Sequence, residues 1–91
     1  MSYKISDYSF QQASKLGVDI KPSTRKGKKI DVFKNGNKVA SIGALGYGDY
    51  PYYMKNNPAV ADRERKNYKL RHAKDRSIVG SAGYFADRIL W

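Results

Sequence analysis

Apolar and polar positions recur with different periods along the chain, and glycine, proline or small polar residues interrupt each pattern. Phe10, Ala13 and Leu16 recur at intervals of three residues, which indicates a single apolar stripe on a short helix. Ser6 lies where a helix N-cap is expected, and Gly17 lies where a left-handed C-terminal residue is expected. The pattern therefore predicts a first helix between these two residues.

The next pattern has a period of two residues and predicts a β-hairpin. Segments 30–34 and 37–42 flank the dipeptide Asn35-Gly36, which is well suited to a type I′ turn. Val18 to Ile20 also alternates and predicts a short additional strand that Pro22 ends. The basic segment 21–29 is expected to be a mobile loop between this strand and the hairpin.

Prolines mark two predicted helices in the second half of the chain. Pro51 suits the first turn of a short helix with Asp49 as its cap, and Pro58 suits the first position of a longer helix that extends to about Arg76. Segment 77–83 contains two glycines and predicts a loop, and 84–91 predicts a short helix or an apolar tail that docks into the core.

These elements predict an α+β fold in one small domain that spans residues 1–91. A β-hairpin, extended to a three-stranded antiparallel sheet if 18–20 joins it, packs against two or three helices. A chain of 91 residues can bury one modest core. It has no cysteine and one histidine, which excludes disulfides and cysteine-ligated zinc, and we expect no metal and no cofactor.

The longest apolar run, 42–45, is far too short to cross a bilayer, and residues 1–4 lack the apolar stretch of a signal peptide. We therefore expect a soluble protein that is neither secreted nor bound to a membrane.

Charge indicates the partner more clearly than any motif does. Eighteen Lys and Arg residues oppose eight Asp and Glu residues, which gives a formal net charge of +10. The basic residues concentrate in 25–29 with the following hairpin and in 63–76. A field this positive attracts polyanions, and nucleic acids are the commonest of these, so we expect sequence-nonspecific binding to nucleic acid, with DNA favoured over RNA. The expected contact residues are Lys26, Lys28, Lys29, Lys34, Lys38, Arg63, Arg65, Lys66, Lys69, Arg71, His72, Lys74 and Arg76.

One face of the predicted long helix combines Tyr68 with Glu64, Arg71 and His72. Two interpretations remain open for these charged groups. They form a polar network that fixes the helix to the hairpin through Asp31, Asp49 or Asp87, or Arg71 and His72 line a cleft that binds a phosphate or stacks on a base. For the outward cationic face, the alternative to nucleic-acid binding is an ordinary solvated surface.

Other motifs add little chemistry. Gly43 and Gly46 have the spacing of the Gly-x-x-Gly loop of KH domains, but this loop leaves a hairpin, so both are predicted to be turn glycines. The four tyrosines between 47 and 53 are expected mainly in the core or at its rim, with one or two near a ligand. His72 with nearby carboxylates is compatible with a metal-dependent nuclease, but no spacing requires it, and we do not expect an enzyme.

Blocks 31–36, 40–51, 71–72 and 83–91 resemble a family of small basic proteins encoded by large double-stranded DNA viruses of algae and amoebae and by some tailed phages. The resemblance implies a viral origin, a compact single domain and a location in the virion or the host-cell interior. It carries over no catalytic or binding residues. It is compatible with a DNA-associated role and also with a minor capsid protein that cements larger capsid proteins, whose acidic surfaces would meet the basic residues.

Overall fold

A three-stranded antiparallel sheet is formed by β1 (Asp19–Pro22), β2 (Lys28–Lys34) and β3 (Asn37–Ala44), with β2 in the middle. The computed structural model describes residues 3–91, so residues 1 and 2 of the predicted domain lie outside the described part. Asn35 and Gly36 have φ angles of 52° and 81°, both positive as a type I′ turn requires. The predicted hairpin and its third strand are confirmed.

Four α-helices and one 3₁₀ turn complete the α+β domain. The helices are α1 (Asp7–Leu16), α2 (Tyr50–Asn56), α3 (Pro58–Arg71) and α4 (Ala82–Ile89), and the 3₁₀ turn is Asp75–Ser77. The predicted caps are confirmed, because the Ser6 side chain accepts a hydrogen bond from the Ser9 N–H and Gly17 is left-handed with φ 71°.

The α3 helix is shorter than predicted, because it ends at Arg71 rather than near Arg76. Arg76 Nε donates a hydrogen bond to the main-chain oxygen of Lys69 at 3.1 Å. This oxygen belongs to the last turn of the helix, whose carbonyls have no partner within the helix. The side chain of Arg76 therefore caps the helix that it was expected to continue.

One residue of the apolar stripe predicted for α1 differs from the prediction. Ala13 is buried and Leu16 packs against the core, but Phe10 is 50% exposed and Ser9 is buried. The Ser9 hydroxyl donates a hydrogen bond of 2.8 Å to the main-chain oxygen of Ile89 in α4. Because this short polar contact draws the Ser9 side of α1 against α4, Phe10 lies at the edge of the buried face.

Segment 21–29, predicted as a mobile loop, consists of the end of β1, a turn and the start of β2. The turn is held by the buried carboxylate of Asp31, which accepts hydrogen bonds from the Ser23 hydroxyl at 2.6 Å and the Thr24 N–H at 3.1 Å. The polar composition that predicted a loop therefore supplies the donors that fix the turn.

The core lies between the sheet and the end of the chain. Ile30, Val32 and Ile42 contribute from β2 and β3, and Leu90 and Trp91 pack into the same cluster with 1% and 8% exposure. The predicted docking of the final segment is confirmed. Within residues 3–91, no helix is both long and apolar enough to cross a membrane.

Candidate nucleic-acid interface

A cleft of about 730 Å³ lies between β3, α3 and the start of α4, and its volume is within the range typical of ligand sites. We call it the α3 cleft. Its lining combines cations, carboxylates and aromatic rings, among them Lys28, Tyr53, Glu64, Tyr68, Arg71, His72, Asp75 and Trp91.

Lys29 also borders the cleft, but its charge is neutralised within the protein. Its side chain is 5% exposed, and its Nζ lies 2.8 Å from Asp49 Oδ2 and 2.6 Å from the main-chain oxygen of Tyr47. The Tyr3 hydroxyl donates to the same Asp49 oxygen at 2.7 Å, and burial together with the Asp49 carboxylate raises the pKa of Tyr3. We therefore remove Lys29 from the set of phosphate contacts.

Three aromatic rings form a column along one side of the cleft. The Tyr68 ring lies 4.6 Å from the Trp91 ring at an interplanar angle of 10°, and 4.4 Å from the His72 ring at 30°. Tyr68 and His72 are four residues apart along the chain, so their side chains lie on the same face at the end of α3. Burial raises the pKa of Tyr68 to about 12, with the Asp87 and Asp75 carboxylates adding to the effect.

The outer end of this column is partly open. The His72 side chain is 39% exposed, and its Nδ1 lies 3.6 Å from Asp75 Oδ2. A β-carbon on Gly83 would lie 2.7 Å from the Asp75 β-carbon, so glycine at this position allows the 3₁₀ turn to approach α4 closely. The contact between these two segments places the Asp75 carboxylate beside His72.

Arg65 is engaged in contacts within the fold. Its guanidinium lies over the Tyr50 ring at 3.6 Å, its Nε donates to the main-chain oxygen of Trp91 at 2.7 Å, and a terminal nitrogen donates to the Tyr8 hydroxyl at 3.0 Å. We remove Arg65 from the contact set, because binding a phosphate would compete with these interactions.

Several other predicted contact residues are paired on the surface. Lys69 Nζ lies 2.6 Å from Asp87 Oδ1, and Lys38 Nζ lies 3.6 Å from Asp31 Oδ2. Arg63 is 3.8 Å from Glu64 but 67% exposed. Lys69 therefore has a structural partner, whereas Lys38, Arg63 and Arg76 keep part of their surface accessible.

The cleft brings together residues from both basic segments. Lys28 comes from β2, and Arg71 and His72 come from the end of α3.

The carboxylates proposed as partners in a polar network are bound by lysines instead. Lys38 pairs with Asp31, Lys29 pairs with Asp49, and Lys69 pairs with Asp87. The interpretation in which Arg71 and His72 line a cleft is therefore the one that matches the geometry. The other exposed cations of the set, Lys26, Lys34, Lys66 and Lys74, do not line it.

The tyrosine cluster divides between core and surface. Tyr50 and Tyr53 pack against the core, and Tyr53 also lines the cleft. Tyr47 and Tyr52 are 76% and 51% exposed. Gly43 and Gly46 have φ angles of 76° and 90°, as expected of turn glycines.

Comparison of the chain with protein-family models, curated proteins and solved structures finds no match. In the described range 3–91, no group of three or more His, Asp or Glu side chains is placed to hold a metal ion. Support for a function therefore comes from the geometry and charge of the α3 cleft and its surroundings.

Proposed function

We propose that this protein binds nucleic acid without sequence specificity, through the α3 cleft and the exposed cations of the two basic segments. The observation that carries the proposal is that Lys28 of β2 and Arg71 of α3, which lie far apart in the sequence, line one cleft. Glu64 and Asp75 also line the cleft, so its attraction for a polyanion depends on the exposed cations around it, whose potentials add to those of Lys28 and Arg71.

Internal ion pairs leave the excess charge in place. Each pair, such as Lys29 with Asp49, removes one positive and one negative charge, so the formal net charge of +10 remains with the groups outside these pairs. Contacts to phosphates fix the position of a protein on nucleic acid without reading its sequence. The side chains proposed for these contacts are Lys26, Lys28, Lys34, Lys66, Arg71 and Lys74. Lys38, Arg63 and Arg76 are proposed as secondary contacts, because each also has a partner within the protein.

The resemblance to small basic viral proteins adds the proposal that the nucleic acid is a DNA genome with which the protein is packaged. A second candidate function, contact with capsid or other virion proteins, is favoured by the exposure of Leu70, Ile78 and Val79 at 67%, 59% and 80%. Burial of such side chains against a partner removes apolar surface from water, which favours association.

The salt dependence of binding tests the first candidate. If about five phosphates are neutralised, the logarithm of the affinity for duplex DNA falls with the logarithm of salt concentration at a slope of about −4.5. We expect this slope, by fluorescence anisotropy, for duplexes of unrelated sequence. Replacing Lys66, Arg71 and Lys74 together by alanine should weaken binding. It should also make the salt dependence shallower, with a slope smaller in magnitude by up to about 3.

A matched control replaces Lys4, Lys15 and Lys55 by alanine, which changes the net charge equally at residues that lie outside both the cleft and the two basic segments. This control should retain most of the slope. Absence of binding at low salt, or the same loss in both triple variants, would contradict the proposal. Absence of DNA binding combined with retention on empty capsids would favour the second candidate.

A further inference from the structure

The α3 cleft differs from a plain phosphate-binding groove because it contains carboxylates. Glu64 and Asp75 line it together with Lys28 and Arg71. The Glu64 side chain is 28% exposed, and the Asp75 side chain is 66% exposed. A carboxylate repels a phosphate but accepts hydrogen bonds from the amino groups of bases. The mixed charges therefore suit a nucleotide whose phosphate and base meet different groups.

The aromatic column offers a surface for such a base. The Tyr68 ring stacks on the His72 ring from one side, and the His72 side chain keeps 39% of its surface exposed. Bases released from a helix stack on aromatic and histidine rings, and this stacking contributes to binding whatever the sequence. A base placed on His72 would continue the existing column.

The column is held in place before any ligand arrives. Trp91 at its inner end is 8% exposed, and its main-chain oxygen accepts the 2.7 Å hydrogen bond from Arg65. Tyr68 is fixed between Trp91 and His72. A site that needs little ordering on binding retains more of its interaction energy.

We propose that the α3 cleft receives an unpaired base, which stacks on His72 while Arg71 and Lys28 bind the adjacent phosphates. This inference rests on the proposed nucleic-acid binding and specifies its preferred form. A base inside a duplex has both faces stacked and its pairing edge occupied, so it can neither stack on His72 nor reach Glu64 with that edge. The preferred partner is therefore a single-stranded segment, an overhang or a frayed end.

The test compares two DNAs that share one duplex sequence, one blunt and one with an unpaired overhang, at the same low salt concentration. We expect the overhang to bind about 10-fold more tightly, which corresponds to stacking of about one base. His72→Ala should reduce the ratio of the two affinities to near one. His72→Phe, which keeps an aromatic ring at this position, should restore most of it.

Tyr52→Ala is the matched control, because it removes an exposed aromatic ring outside the cleft. It should leave the ratio unchanged. Equal affinity of the wild-type protein for the two DNAs, or an unchanged ratio in His72→Ala, would overturn the inference and leave the proposed function standing. Failure to bind either DNA at low salt would remove both.

Discussion

Asp49 links three parts of the molecule through one buried carboxylate. It accepts hydrogen bonds from Lys29 Nζ, from the Tyr3 hydroxyl and from the Tyr52 N–H at the start of α2. We expect Asp49→Ala to lower the free energy of unfolding by about 3–5 kcal/mol, because it leaves the Lys29 ammonium buried without its counter-ion. Urea unfolding followed by the fluorescence of Trp91, the single tryptophan, measures this change.

Lys38→Ala provides the comparison for that loss. Its ammonium lies 3.6 Å from Asp31, but the side chain is 45% exposed, and exposed pairs of this kind contribute about 0–1 kcal/mol. Equal destabilisation by the two substitutions would show that the burial of Lys29 has no energetic consequence.

The protonation of Asp31 makes the free energy of unfolding depend on pH. Burial by itself would raise the pKa of Asp31, but hydrogen bonds from Ser23, Ser41 and Thr24 and the charge of Lys38 lower it to about 2. An aspartate in an unfolded chain has a pKa of about 3.9. The stabilisation is therefore complete above about pH 4 and is lost as the pH falls toward about 2.

Urea unfolding of the wild type and Asp31→Asn across this pH range tests the effect. The other carboxylates titrate in both proteins, so the difference between the two curves reports on Asp31. We expect the advantage of the wild type to shrink as the pH falls, whereas two parallel curves would contradict the assignment.

The sequence predicted the positions of these charged residues along β2 but not their surroundings. Lys29 and Asp31 are two residues apart and therefore share one face of the strand. Lys29 was expected to contact phosphate, and Asp31 was one of three candidate partners for the charged groups of the long helix. This face is covered by the turn that precedes β2, which supplies Ser23 and Thr24 to Asp31, and by the segment after β3, which supplies the Tyr47 oxygen and Asp49 to Lys29. Alternation shows which residues share a face, but not what covers it.

At the scale of elements, the end of β3 depends on the absence of a side chain at Gly43. Its φ is +76°, and a β-carbon there would lie 2.8 Å from Leu90 Cδ1 and 2.9 Å from Lys29 Cδ. We expect Gly43→Ala to lower the free energy of unfolding by more than the approximately 1–2 kcal/mol that left-handed backbone alone costs a residue with a side chain. Gly46→Ala is the control, because its φ is +90° and the space around it is open. Similar losses in the two variants would show that packing against Leu90 is not limiting.

The turns and helix ends that are specified by residues next to them in the sequence were predicted well. The Asn35-Gly36 turn, the Ser6 cap and the Pro58 start each depend on residues adjacent to the feature they specify. The end of α3 was wrong because it depends on contacts outside the helix, namely the Arg76 side chain and the approach of Asp75 to Gly83. The exposure of Phe10 in α1 was not predicted, because the burial of Ser9 depends on its bond to Ile89, eighty residues later in the chain.

At the scale of the whole molecule, the sequence identified two basic segments but not their relative position. Lys28 and Arg71 line one cleft because β2 and α3 both pack near Leu90 and Trp91. The spacing of Tyr68 and His72 was a local signal for their stacking, since residues four apart meet on a helix. The addition of Trp91 to the column had no such signal, because it depends on how the last residues fold back.

The contacts of Arg65 affect the cooperativity of unfolding. One guanidinium joins Tyr8 of α1, Tyr50 of α2 and the main chain of Trp91. The first helix and the residue Trp91 that follows α4 are therefore bonded to the same side chain of α3, so local unfolding of either one breaks a bond to Arg65. Arg65→Lys would keep the charge but lose the planar guanidinium that reaches several partners. The contacts of α1 and of Trp91 with α3 would then weaken together, and thermal unfolding would become less cooperative.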